Sequence, residues 1–410
     1  MNFHTLHLFE GYGIELEYMI VKSDTLDVYP AADMLLDALD EANAGDDMLS
    51  WSNELVLHVI ELKTGGAVPS LEMLPAAFGR SVRRINEILQ PRGGRLMPTA
   101  MHPWMDPLKE TRLWPHGSGE VYQAFNKIFD CRGHGWANIQ SMHINLPFNG
   151  DDEFRRLHAA VRLALPLIPA IAASSPLVEG RVSAFKDARL DFYRNNQRRI
   201  PSITGMIIPE PVFTRDEYEQ VINQKIYADI APHDPDGILR EEWLNSRGAI
   251  ARFTRNAIEI RIIDMQECPE ADMIVAAAVI ALIRALADER WISCEEQAQW
   301  DTADLAAVLS STILDAENAV IRNTNYPAAF GMPPAECAAG DLWRHIAGRL
   351  SSWQADSAYF PGGFDEMLRR GTLSRRILGA LGGRPDPERV RAVYAELCDC
   401  LDEGRFFRGL

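Results

Sequence analysis

Two glutamates stand two residues apart in Gly13-Ile14-Glu15-Leu16-Glu17-Tyr18, a stretch in which apolar and charged residues alternate. Successive side chains on a strand point to opposite faces, so Glu15 and Glu17 share one face while Ile14, Leu16 and Tyr18 share the other. Glutamate is depleted in strands, and two on one face repel unless solvent or a cation lies between them. The pair is either the wet face of an ordinary sheet or half of a metal site. Further acids recur on strand-like segments. In 47–63, Leu57, Val59 and Glu61 alternate with His58, Ile60 and Leu62, and Glu54 precedes Glu61 by an odd number of residues. A straight strand therefore puts Glu54 and Glu61 on opposite faces, and only a turn at 52–54 or a bulge lets them share a site. The segment 138–146 reads as a strand with His143 and Asn145 on one face. Segments 249–254 and 257–263 read as a hairpin turning at Arg255-Asn256, with Glu259 and Arg261 projecting together.

The chain has no Gly-x-x-x-x-Gly-Lys-Ser/Thr, Gly-x-Gly-x-x-Gly, His-Glu-x-x-His or Gly-x-Ser-x-Gly. The common phosphate loop, dinucleotide turn, zinc-protease helix and nucleophile elbow are thus absent. What remains is a set of strand- or turn-borne glutamates with one histidine, one asparagine and several arginines. Hard oxygen ligands suit Mg2+ or Mn2+, which bind through a few carboxylates together with substrate phosphates. Acids that would otherwise repel become sensible if divalent ions bring ATP between them. Arginines would then neutralise the transferred phosphate and hold a carboxylate. Residues 179–199 carry Arg181, Lys186, Arg189, Arg194, Arg198 and Arg199, which form either a solvated loop or a clamp for an anion.

The elements that must position these groups follow from periodicity and punctuation. Helices are expected at 30–39, at 70–89 with Pro75 bending or delaying the start, at 122–129, and at 151–171 divided by Pro166 and Pro169. A turn at Lys22-Ser23-Asp24 suggests a hairpin over 10–28, and 96–101 a short strand. From Glu270 onward the chain becomes helical and rich in Ala and Leu, with helices expected at 271–290, 301–322, 336–353, 364–381 and 387–402.

The chain has 410 residues, 47% of them apolar and 24% charged, which are ordinary globular values, and its net charge is -17. That charge repels a nucleic-acid backbone or an anionic membrane. The apolar run 163–178 is broken by Pro166, Pro169 and Pro176, and the first ten residues lack a secretory pattern. The six cysteines form no Cys-x-x-Cys pair. A cytoplasmic enzyme of small molecules is expected, with no nucleic-acid or membrane partner.

Taken together, Gly13-Ile14-Glu15-Leu16-Glu17, Glu54 with Glu61, His143-Ile144-Asn145-Leu146, Ser174-Ser175-Pro176 with Glu179-Gly180, and Ile258-Glu259-Ile260-Arg261 with Asp264 resemble the glutamate-cysteine ligases and related carboxylate-amine ligases, over roughly residues 10 to 290. The resemblance implies an α+β fold of the glutamine synthetase-like kind: a curved antiparallel sheet forming a bowl, covered by helices, with a catalytic domain at 1–290 and a helical region at 291–410. It implies Mg2+ (or Mn2+) held by Glu15, Glu17, Glu54, Glu61, His143 and Glu259, with ATP as co-substrate against Glu15, Glu61, Asn145 and Arg261. Glu259 and Arg261 would be catalytic, and Arg189 and Arg252, with Arg247 behind them, would hold the substrate carboxylate. The implied reaction joins the γ-carboxylate of glutamate, or a similar carboxylate, to the amine of cysteine or another amino compound through an acyl phosphate. Many ligases of this group have a second histidine and a glycine in the third motif, where Met142, Asn145 and Leu146 stand here; the asparagine form is closer to the glutamate-cysteine ligases proper. A silent relative that keeps the bowl, and a metal-dependent hydrolase built on the same acids, are the alternatives. The helical tail is left for acceptor choice or the contacts of a homo-oligomer.

Overall fold

The computed structural model describes residues 5–41, 48–117, 119–350, 362–383 and 385–410. Its centre is a seven-stranded sheet built from β1 (Gly13–Lys22), β2 (Leu49–Asn53), β3 (Val59–Thr64), β4 (Gly94–Met97), β5 (Ser141–Pro147), β8 (Ala249–Arg252) and β9 (Ala257–Asp264). Two separate two-stranded ribbons are formed by β6 (Leu177–Val178) with β7 (Arg181–Val182) and by β10 (Val320–Ile321) with β11 (Cys337–Ala338). The order in the main sheet is β2-β3-β1-β5-β9-β8, every pairing is antiparallel, and β4 pairs with the far end of β1. The α+β class read from the sequence is the fold observed.

Alternation explains how the sheet is covered. Ile14, Leu16, Tyr18 and Ile20 are fully buried on one face of β1. They join Ile60, Leu62, Met142, Ile144, Ile258 and Ile260 in one core with the helices Leu74–Leu89, Gly150–Ala164 and Pro269–Ala287. The other face of β1 changes character along its length. It starts with Glu15 and Glu17 and continues with Met19 and Val21, which sit in a second core with Leu373, Ile377, Val393 and Leu397 of the C-terminal helices. One face thus carries acids where it meets a cavity and methyl groups where helices cover it.

The expected strand over 47–63 is two strands, and Asp47 lies outside the described residues. β2 folds back on β3 with Ser52 opposite Glu61 and Asn53 opposite Ile60. The intervening Glu54-Leu55-Val56-Leu57-His58 has no Gly or Pro to announce a reversal. Tertiary bonds hold it instead: Leu57 N donates to Arg112 O at 2.8 Å, Leu57 O accepts from Ala32 N at 2.8 Å, and His58 Nε2 lies 2.8 Å from Ala137 O. The hairpin expected over 10–28 is reduced to a tight turn and a single bridge between Val21 and Val28. Helices form at Ala32–Glu41, Leu74–Leu89, Gly119–Phe129 and Gly150–Ala164, the last running through a 3-10 turn, Leu165–Leu167, into Pro169–Ala172 as its prolines require.

In the last third, helices form at Thr302–Asp315, Ala339–Leu350, Gly363–Arg370, Leu373–Leu381 and Pro387–Glu403, and the expected continuation of the second to 353 lies outside the described residues. The helix expected at 364–381 breaks at Gly371, whose φ of 81° lies in the left-handed region. Trp343 is fully buried in the same core as the sheet, and its indole N–H donates to Leu167 O at 2.8 Å. Trp343→Ala should therefore cost about 3–5 kcal/mol of global stability by urea unfolding. A loss below about 1 kcal/mol would show that the C-terminal helices are an appendage to the sheet.

Candidate active site

The acid face of the sheet opens into a cavity of about 570 Å³ lined by Glu15, Glu17, Glu54, Glu61, His143 and Glu259, with Lys63, Arg252, Arg255 and Arg261 among them. Register brings these together. Glu15 stands between Lys63 on β3 and His143 on β5, Glu17 faces Glu61, and Asn145 faces both Gly13 and Glu259. A Cβ on Gly13 would lie 3.0 Å from the Asn145 Cβ, so the glycine admits this close cross-strand pair. Between Met142 and Ile144 the register with β9 slips by one residue. Such bulges re-aim side chains beside active sites, and this one falls where β9 carries Arg261. Glu54 follows the end of β2, after the strand has ended, and lines the same cavity, which resolves the odd spacing to Glu61.

Short bonds fix the cluster. His143 Nδ1 is 3.0 Å from Glu15 Oε2 and 4.0 Å from Glu259 Oε1, while its Nε2 is 3.0 Å from Ser141 Oγ and 3.7 Å from Glu17 Oε1. Glu259 is gripped from both sides, by Arg261 Nε at 2.5 Å and Arg252 Nη1 at 2.9 Å. Glu61 Oε2 accepts from Ser52 Oγ and Lys63 Nζ, each at 2.5 Å. Ser141 N donates to Glu17 Oε2 at 2.7 Å.

The electrostatics divide the acids into two groups. Burial opposes ionisation at Glu15, but the hydrogen bond and charge of His143, with Lys63, outweigh it and hold the carboxyl below the usual range. Burial likewise opposes the charge on Glu259, and Arg261, His143 and Arg252 bring its value down all the same. Glu61 goes the other way: burial and the Glu15 charge push it up to about 7 despite Lys63. Glu54 is raised well above its ordinary value by burial and by Glu61 and Glu17. Burial works against a charged His143, yet Glu15, Glu17 and Glu259 raise its value. The cations are unevenly placed among the acids: Glu15 and Glu259 are held down by theirs, while Glu54 and Glu61 stay raised.

Several expected residues have other partners. Asn145 does not line the cavity; its amide donates to Glu15 Oε1 at 3.0 Å and orients that carboxylate. Arg247 also lies outside the cavity lining, because Nε and Nη2 of its guanidinium donate to Glu210, each at 2.6 Å, and Nη1 donates to Ser202 O at 3.1 Å and Asn245 Oδ1 at 3.0 Å. Arg189 borders the cavity but is 1% exposed, with Nε 2.6 Å from Asp264 Oδ1 and the guanidinium 3.4 Å from Arg261 O. Asp264 also accepts from Ser174 N at 2.9 Å and Ser175 Oγ at 2.8 Å, which explains the Ser174-Ser175-Pro176 stretch structurally. Arg252 stays in the cavity wall on Glu259. Unforeseen members are Lys63, Arg255, Ser52, Asn53 and the aromatic side chains of Tyr122, Phe125, Trp136 and Trp243. Lys63 was accessible to parity, two residues beyond Glu61; the aromatics come from three separate segments of the sequence, and nothing local brings those segments together.

A family model described as glutamate-cysteine ligase family 2 matches residues 12–313. The chain belongs to that family. Family membership makes it a carboxylate-amine ligase. This ligase is 35% identical to an uncharacterized protein of Archaeoglobus fulgidus over 68% of the chain and 75% of that protein. It is 27% identical to a candidate glutamate-cysteine ligase 2 of Bradyrhizobium sp. over 70% of the chain and only 63% of that relative's length. Among solved structures, the glutamate-cysteine ligase of Francisella tularensis in complex with AMP superposes with a TM-score of 0.62 over 99% of this chain and 91% of that one, at 13% identity, a likeness of fold. Among the described residues no helix is long and apolar enough to cross a membrane.

The buried Arg189–Asp264 pair gives this ligase a test that separates a scaffold role from a substrate role. Arg189→Met should destabilise the protein by about 3–5 kcal/mol, because Asp264 is left charged and buried, and adding Asp264→Asn should recover part of that loss. Unchanged unfolding with a raised KM for the carboxylate substrate would return Arg189 to the substrate.

Proposed function

We propose that this chain is an ATP- and Mg2+-dependent ligase that activates the γ-carboxylate of glutamate, or a similar carboxylate, and joins it to the amine of cysteine or another amino compound. The observation that carries the reading is the convergence of Glu15, His143 and Glu259, each with a ligand atom within 4.8 Å of the others, in a cavity that also holds Glu17, Glu54 and Glu61. The donor set fits the ion. It is mostly carboxylate oxygen, as Mg2+ or Mn2+ prefers, and Glu54 and Glu61 are raised by burial and by neighbouring carboxylates, a repulsion that a divalent cation would relieve. Glu15, Glu17, Glu54, Glu61, His143 and Glu259 would hold the metal, which when bound screens the phosphate oxygens of ATP.

The chain's own groups account for the rest. Arg261, in the cavity wall beside Glu259, supplies positive charge for the phosphoryl group in transfer. Arg252 and Arg255, on the same hairpin, offer guanidinium groups to a substrate carboxylate. A carboxylate oxygen attacks the γ-phosphorus and ADP leaves; the amine nitrogen then attacks the acyl carbon, phosphate leaves, and the amine loses a proton. Lys63 and Ser52 hold Glu61, and Asn145 and His143 hold Glu15, so that the ligand oxygens are set before substrate arrives. The family and the nucleotide seen on the Francisella enzyme support ATP as co-substrate.

ADP release should require a divalent cation, a carboxylate and an amine together, measured with glutamate and a panel of amines. Glu259→Gln should lower the rate by about two orders of magnitude in a protein with unchanged circular dichroism. Glu15→Gln should raise the Mg2+ concentration needed for half-maximal rate before it alters unfolding. Near-normal turnover in Glu259→Gln would remove that residue from the chemistry. No ADP under any pairing would favour a silent relative, and amide cleavage without ATP would favour a hydrolase.

A further inference from the structure

The acids occupy only part of the cavity, and the remainder is aromatic. Tyr122 and Phe125 come from the helix Gly119–Phe129, Trp136 from the turn His134–Ala137, and Trp243 from the 3-10 turn Glu242–Leu244. The Phe125 ring lies 5.2 Å from Trp136 and 5.8 Å from Trp243, centroid to centroid, so these three rings form one continuous wall. Next to it are three buried polar atoms that have no hydrogen-bond partner among the described residues: Trp136 Nε1, Tyr193 Oη and Asn196 Oδ1. All three residues line the cavity. Buried donors and acceptors are rarely left unpaired in a native protein, and in residues that line a cavity a small side-chain rotation toward a ligand would pair them. The wall is built for close fit, since a Cβ on Gly135 would lie 2.8 Å from both Asn196 Cβ and Phe192 O, and Asn196 Nδ2 donates to Gly135 O at 2.8 Å.

We infer that this wall receives a planar aromatic group of the amine acceptor, with Tyr193 and Asn196 hydrogen-bonding a polar edge or substituent of that group. The inference rests on the ligase reading and narrows its acceptor. Aromatic faces recognise other flat rings by offset or edge-to-face contact, and the indole N–H and tyrosyl O–H donate to an acceptor on the ring or its substituent. Asn196 Oδ1 takes a donor, because its Nδ2 is already engaged.

The wall's position selects the acceptor over the adenine of ATP. Tyr193 ends the helix Ala188–Tyr193, whose Arg189 reaches the Arg261 carbonyl at 3.4 Å. Through Asn196 and Gly135 the wall is thus tied to the strand that carries Arg261, the phosphoryl-side group. An attacking amine must come within about 3–3.5 Å of the activated carbon, so its substituent lies close to that strand. Adenine lies the length of a triphosphate away from the same point. Cysteine has no group that could cover such a wall.

The test uses the full chain with Mg2+, ATP and glutamate, and reads ADP release with cysteine, glycine and ethylamine against phenylalanine, tyramine and tryptamine. At least one aromatic amine should exceed every small amine in kcat/KM by about ten-fold or more. Trp136→Leu and Tyr193→Phe, the second removing only a hydroxyl that has no hydrogen-bond partner among the described residues, should each raise the KM for that amine while changing the KM for ATP by less than about two-fold. Small amines used as well as aromatic ones would overturn the inference and leave the ligase standing. A rise in the KM for ATP instead would place adenine on the wall and overturn it as well. If no amine releases ADP the ligase reading fails, and calorimetric titration of tryptamine into the chain with Mg2+ and a non-hydrolysable ATP analogue then decides the wall. Binding that Trp136→Leu abolishes would support it, and no binding to the parent chain would overturn it.

Discussion

Mutual repulsion among buried carboxylates is the constraint on which the rest of this structure depends. Glu15, Glu17, Glu54, Glu61 and Glu259 meet in one cavity, and burial removes the water that would screen them. The fold answers with local cations and donors. Lys63 holds Glu61, His143 lies between Glu15 and Glu17, and Arg252 and Arg261 enclose Glu259. Compensation is incomplete, since Glu61 and Glu54 remain raised above ordinary carboxylate values. A site in this state favours the arrival of further positive charge, which is the physical basis for reading it as a cation and phosphate site.

Rigidity of the strands makes that arrangement affordable in geometry. The backs of β1, β3, β5 and β9 are sunk in a core of Ile, Leu, Met and Tyr side chains, so the acids in front cannot relax by sliding apart. Beneath Arg261, the fully buried Asp264 and Arg189 tie the end of β9 to Ser174 and Ser175. The stretch richest in arginine thus contributes at least one member to scaffolding. An arginine with a buried aspartate at 2.6 Å has little capacity left for a substrate anion.

The last third of the chain, in which the sequence showed no chemistry, completes the sheet's coverage. Met19 and Val21 continue the face begun by Glu15 and Glu17, and helices Leu373–Leu381 and Pro387–Glu403 seal them. Where that cover ends the cavity begins. Its other boundary, the aromatic wall, comes from loops and short helices between strands, which is where a shared catalytic face can be fitted to different substrates.

Local rules determined a good deal by themselves. Period-2 alternation placed Glu15 beside Glu17 and Glu259 beside Arg261, prolines divided the helix after Gly150, and the charge pattern with five short motifs identified the family. Those properties depend on neighbours along the chain, so they are legible without a fold. Tertiary structure alone decided which side chains meet. No Gly or Pro marks the reversal at 54–58; bonds to Arg112, Ala32 and Ala137 hold it, and only with that reversal do Glu54 and Glu61 enter one cavity. Likewise Arg247 was claimed by Glu210 and Arg189 by Asp264, partners remote in sequence. A guanidinium's partner is set by distance in space, and the sequence records only distance along the chain.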